Sequence, residues 1–167
     1  MALINNQAQA IADQWTYPDA DGNIAVRAGA VVPVDVLVGL GNLFDIERPI
    51  GAFVSSGITA DRIASLLETL DLVAVAFPKF RDGRGFTVAR TLREKHGYKG
   101  DIRAVGHVLP DQFTALVQCG FSSIVTPPEH PPEQWSVARL PEKTLDERRG
   151  PLLHRLVGRG ASGGAGR

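Results

Sequence analysis

A chain of 167 residues is long enough to bury one core of ordinary size without disulfides or a metal, and short for two. Lys plus Arg equals Asp plus Glu at 18 each, so no global field draws the chain to nucleic acid or to an acidic membrane. Hydrophobic residues make up 44% but aromatic ones only 7%, which points to a core of Val, Leu, Ile and Ala, as suits a parallel sheet covered by helices.

The first eleven residues carry no basic stretch followed by an apolar one, and no uncharged apolar run approaches ~20 residues anywhere. Neither a signal peptide nor a membrane span is expected, and the setting expected is cytoplasmic. Over residues 1–49 the pattern is irregular: 3–4, 24–26 and 30–36 read as short strands, with Asn5-Asn6 and 19–23 as turns, forming a β-rich cap.

From 50 to 126 short apolar runs alternate with segments of helical period, the pattern of successive βα units. Strands are predicted over 50–54, 72–77, 102–105 and 123–125. Ile63, Leu66, Leu67 and Leu70 form one helical stripe, with Thr59 as N-cap and Ile58 stapled to Ile63. A second helix is predicted over 86–95, with Val88, Ala89 and Leu92 inward, Arg90, Arg93, Glu94 and Lys95 mostly solvated, and Gly97 ending it. A third opens on Pro110, turns Phe113, Leu116 and Val117 inward, and stops at Gly120.

Strands joined by helices are parallel with right-handed crossovers, so the predicted fold class is α/β: a small parallel βα array of about four strands and three helices. An open three-layer sheet and a partial barrel both satisfy it. Residues 1–135 are read as a single α/β domain and 136–167 as an extended, partly disordered tail, because Pro127, Pro128, Pro131 and Pro132 break regular structure and 158–167 is almost entirely Gly, Ala, Ser and Arg.

The loop after the 72–77 strand is the richest in chemistry: Phe77-Pro78-Lys79-Phe80-Arg81-Asp82-Gly83-Arg84-Gly85-Phe86. In parallel α/β folds ligands bind at the carboxyl ends of strands. Lys79, Arg81 and Arg84 are cationic donors, and Gly83 and Gly85 let a backbone approach at a helix N-terminus, which suits a small oxyanion such as phosphate, sulfate or a carboxylate. The plainer reading is a tight βα turn in which Asp82 pairs with an arginine and nothing binds. In either case Asp82 and Gly83 are expected to shape the loop. It matches neither a Walker A nor a dinucleotide fingerprint, and Gly39-Leu40-Gly41 lacks the third glycine of the latter.

The loop Gly106-His107-Val108-Leu109-Pro110-Asp111-Gln112 should lie on the same rim. His107, with an ordinary pKa of about 6.5, is the candidate acid–base group, and Asp111 and Gln112 are candidate hydrogen-bonding groups. Cys119 stands at a helix C-terminus, where the dipole disfavours a thiolate, and reads as packing. His96, His130 and His154 are scattered, so no metal site is expected, and no cofactor motif is found.

Phe77-Pro78-Lys79-Phe80, Asp82-Gly83-Arg84-Gly85-Phe86, Leu92-Arg93-Glu94, Gly97-Tyr98, Arg103-Ala104-Val105-Gly106, Val108-Leu109, Asp111-Gln112 and Cys119-Gly120-Phe121 together resemble the bacterial domain-of-unknown-function family nine-three-four. That family carries the label of an oxidoreductase of sulfite reduction. The resemblance implies an accessory role in assimilatory sulfite and sulfate reduction, with a small anion, sulfite reductase or another sulfur-assimilation enzyme as partner. The family's recurring charged positions fall on Lys79, Asp82, Arg84, Arg93, Arg103 and Asp111. Ala76, His107 and Ser122 replace acidic residues of the family pattern, which removes three carboxylates and leaves a basic rim.

Two rivals stay open. An enzyme acting on a small anionic sulfur or phosphate compound would use His107 as acid–base and Lys79 and Arg84 as electrostatic stabilisers. A non-catalytic adaptor would anchor on an exposed residue such as Trp15 or Trp135. The first predicts polar groups converging in a pocket, the second an open apolar patch.

Overall fold

The computed structural model describes residues 1–137. Seven strands form one sheet in the order β2-β1-β7-β6-β5-β4-β3. They are β1 (Ala2–Asn5), β2 (Ala10–Ile11), β3 (Ala30–Pro33), β4 (Ile50–Val54), β5 (Leu72–Phe77), β6 (Asp101–Gly106) and β7 (Ser123–Thr126). Strands β3 to β7 are parallel and lie side by side in chain order, while β1 runs antiparallel to both β7 and β2. The sheet has two free ends, so it is open and no partial barrel; it is not the expected three-layer sheet either, because among the described residues helices cover only one of its faces.

Each crossover between β3 and β7 moves one strand in the same direction. Right-handed connections of that kind put every intervening helix on one face. The elements concerned are α1 (Val34–Leu40), a 3-10 helix over Ala60–Leu66, α2 (Arg84–Glu94), and a 3-10 turn over Pro110–Gln112 that leads into α3 (Phe113–Gln118). Ile50, Val73, Val75, Ile102, Ala104 and Ile124 from the strands share one buried cluster with Leu37, Ile63, Leu92 and Leu116 from these helices. On the other face Val31, Leu72 and Ala74 are covered by Trp15, Tyr17 and Phe53, and no helix joins them among the described residues.

The strands expected at 50–54 and 72–77 form over those residues, and 102–105 and 123–125 each extend by one or two residues. The N-terminal region is no separate cap. Its strands complete both ends of the sheet, raising the count from about four to seven. Segment 24–26 is not a strand, and the strand expected over 30–36 ends at Pro33. Pro lacks a backbone donor, which an edge strand tolerates, and Val34 and Leu37, three apart, are buried by a helix instead.

The first helical stripe takes the 3-10 form because Ala60, Ile63 and Leu66 are the buried residues, and a repeat of three stacks them on one line. Thr59 precedes it in extended conformation but makes no side-chain cap bond. Arg93, expected in solvent, is half-buried: its guanidinium donates to the carbonyls of Gly120 (3.0 Å), Tyr98 (2.6 Å) and Gly100 (2.9 Å). Pro132 opens a short helix, α4 (Pro132–Val137), rather than breaking structure, and buries Trp135 against Phe113. Residues 136 and 137 therefore end a helix, and the rest of the expected tail, 138–167, lies outside the described residues. No described helix is long and apolar enough to cross a membrane.

Candidate functional site

The loops that follow β5 and β6 meet at the carboxyl ends of the strands, as their position in a parallel array requires. The His107 N–H donates to the Phe77 carbonyl (2.8 Å), and the Gln112 side chain donates to the Phe80 carbonyl (2.8 Å) while accepting from the Leu109 N–H (3.0 Å). Gln112 thus clamps one loop onto the other.

Within this rim Arg84 is not a free cation. Its Nε and Nη2 donate to the Asp82 carboxylate at 2.9 and 2.7 Å, its N–H adds a third bond at 3.2 Å, and Ser56 donates to the same carboxylate at 2.8 Å. The Arg84 bonds, then that of Ser56, hold Asp82 far below the usual carboxylate range. The start of α2 therefore carries its own anion. Lys79 and Arg81 are exposed, with Arg81 lying over the Phe80 ring, 5.3 Å from its centroid, and Phe80 is 46% exposed. Asp111 is exposed in the Pro110–Gln112 turn.

The two glycines of this loop differ. Gly83 sits at φ −74° with open space around it, whereas a Cβ on Gly85 would lie 2.6 Å from Phe77 Cζ. Gly85 is the close approach, between α2 and β5, and Gly83 is not specifically required.

Arg103 is absent from the rim. It is 4% exposed at mid-sheet on the helix-free face. It donates to Asp101 (2.8 Å), Asp13 (2.9 Å), Ser123 Oγ (2.9 Å) and the Tyr17 hydroxyl (2.6 Å). Burial works against its charge, but the bonds to Tyr17 and the facing carboxylates raise its pKa above the ordinary value. Burial likewise keeps the Tyr17 phenol protonated far beyond its usual range, and its O–H donates to Asp13 (2.8 Å). The Ser122 hydroxyl donates to Asp101 at 2.5 Å.

Beside this network lies a half-open cavity of about 520 Å³. Its floor is a row of side chains at one register level: Ala76 pairs with Val105, Val125 pairs with Leu3, and the β6–β7 register sets Val105 beside Val125. Trp15 packs over Gly51 and Leu72 further back along the strands, so the cover stops short of the carboxyl end. Phe53, Tyr17, Asp13 and His107 also line it, as do Met1 and Pro78. His107 is thus the one candidate site residue of the rim that lines the cavity, beside Pro78 and Gly106 of the same loops. Tyr17 and Val125 carried no site signal of their own, because only the sheet brings them beside Asp13 and Ala76.

Cys119 is buried, 3.4 Å from an Arg90 nitrogen. No group of three or more His, Cys, Asp or Glu is placed to hold a metal among the described residues. Trp135 is fully buried and Trp15 half-buried, which leaves neither as a protruding anchor.

A singly wound sheet with its described helices on one face, an interlocked loop rim and a cavity on the bare face defines a small α/β protein. A family model described as "Bacterial protein of unknown function (DUF934)" matches residues 51–143, and the chain belongs to that family, as the resemblance implied. No curated protein matches the chain.

Proposed function

We propose that this protein is a cytoplasmic accessory factor of sulfite and sulfate assimilation that docks on sulfite reductase, or on another enzyme of that route, through the rim of loops 78–86 and 106–112. The route rests on the family resemblance. The mode of action rests on one observation: Phe80 and Arg81 form an exposed aromatic–guanidinium pair whose backbone is held by Gln112. Aromatic and arginine side chains dominate interface energetics, and a pinned loop gives up little entropy on docking. Capture of a free oxyanion is less well supported, since Arg84 already pairs with Asp82 and leaves Lys79 and Arg81 on an open surface.

The test is titration calorimetry of the full chain into purified sulfite reductase, with wild type beside Phe80→Ala and Arg81→Ala. Either substitution is expected to weaken association by about tenfold or more. Absent association, or association indifferent to both changes, overturns the reading. Catalysis is the second reading, favoured by the position of His107 at the cavity; saturable turnover of a sulfur oxyanion lost in His107→Ala would replace docking with it.

A further inference from the structure

The docking rim leaves the cavity on the bare sheet face without a role. Its volume, about 520 Å³, falls within the range of small-molecule sites, and it lies at the carboxyl ends of parallel strands, where such sites form. A row of Ala76, Val105, Val125 and Leu3 across four strands presents a broad, flat, apolar floor. The rings of Phe53 and Tyr17 also line the cavity. A flat floor with ring walls favours a planar, apolar occupant over a compact hydrated one.

The charges select further. Arg103, beneath this face, is almost fully buried and already donates to four partners. Among the described lining side chains Asp13 is the one carboxylate and His107 the one imidazole. Asp13 Oδ1 accepts from Arg103 and from the Trp15 backbone N–H, whereas Oδ2 accepts among the described residues from Tyr17 alone, which leaves room for a further donor. An oxyanion entering here meets a carboxylate and a neutral phenol, with the Arg103 guanidinium already engaged by its own partners.

We infer that this cavity binds an uncharged planar aromatic or heterocyclic compound bearing one N–H or O–H donor, which Asp13 accepts while the rings rest on the Ala76–Val105–Val125 floor. The inference stands apart from rim docking, since it rests on the sheet floor and on Asp13, whereas docking rests on Phe80 and Arg81, neither of which lines the cavity.

Methyl-labelled full chain titrated with indole, with 1-methylindole and with sulfite tests it. Indole is expected to shift the methyls of Leu3, Ala76, Val105 and Val125 saturably. The N-methyl compound should bind about tenfold more weakly, the scale of one hydrogen bond to a charged acceptor. Sulfite should displace neither. In Ala76→Phe, which fills the floor, indole binding should be lost while a circular-dichroism melt confirms folding; the wild-type methyl map decides the matter if that variant does not fold. Absence of indole binding, shifts centred instead on the exposed Val36, Val38 and Leu40 of α1, equal affinity for the two indoles, displacement by sulfite, or unchanged binding in a folded Ala76→Phe would each overturn the inference.

Discussion

A buried guanidinium costs several kcal/mol of desolvation unless it is paired and hydrogen-bonded, and Arg103 has two carboxylate partners and a bond at each of its three nitrogens. Its side chain is 5% exposed, and the Asp13 and Asp101 side chains that face it are 25% and 28% exposed. Replacing Arg103 by Met leaves those carboxylates without their cation, in surroundings only partly wet. The expected loss is about 2–3 kcal/mol, below the range for fully buried pairs because water reaches the partners. Urea denaturation of Arg103→Met measures it, and a loss under about 0.5 kcal/mol would show that the network contributes little. In the sequence Arg103 was a recurring charged position and a candidate ligand. Its true partners Asp13 and Tyr17 lie 90 and 86 residues away, so no local pattern could have joined them.

Among the elements, strands read better than helices. An apolar run such as Leu72–Phe77, buried on both faces, has no alternative of that length and composition. The spacing of Ile63, Leu66, Leu67 and Leu70 satisfies an α-helical period; packing on the sheet selects Ala60, Ile63 and Leu66 instead and with them the tighter turn. The junction of β5 and α2 separates two glycines that sequence reasoning treated alike. Gly85→Ala would drive a Cβ into the Phe77 ring, which itself sits edge-on to Phe86 at 5.4 Å, and is expected to cost about 1–3 kcal/mol. Gly83→Ala meets open space at an ordinary φ and is expected to change stability by less than about 0.5 kcal/mol. Thermal melts of the two variants check the pair, and equal effects would contradict the packing described for this junction.

At the scale of the whole molecule, three carboxylates tie neighbouring elements together and set the response to acid. Asp82 links Arg84 and Ser56 across the loops after β5 and β4, and Asp61 takes Lys95 and His96. Asp71 takes Arg48 and the Ile50 N–H at the start of β4. Asp82 and Asp61 are lowered by these bonds, and in Asp71 burial is more than offset by them, so all three lie below the unfolded value of about 3.9. The unfolded chain therefore binds more protons in acid. The stabilisation is present in full above about pH 5 and is lost as pH falls through the folded values. Stability should rise between about pH 2 and 5 and then level off, with a shallower rise in Asp82→Asn. An unchanged slope in that variant would remove Asp82 from the account.

The sequence by itself determined the class of fold, the positions of the central parallel strands and the family, because buried strands and βα turns are local patterns of apolar period and turn chemistry. Tertiary structure alone decided that residues 2–5 and 30–33 complete the sheet at opposite ends, that every crossover helix falls on one face, and that the bare face keeps a cavity beside a buried arginine. Those features depend on side chains brought together from distant parts of the chain by strand order, and strand order is set by how the whole core closes rather than by any one segment.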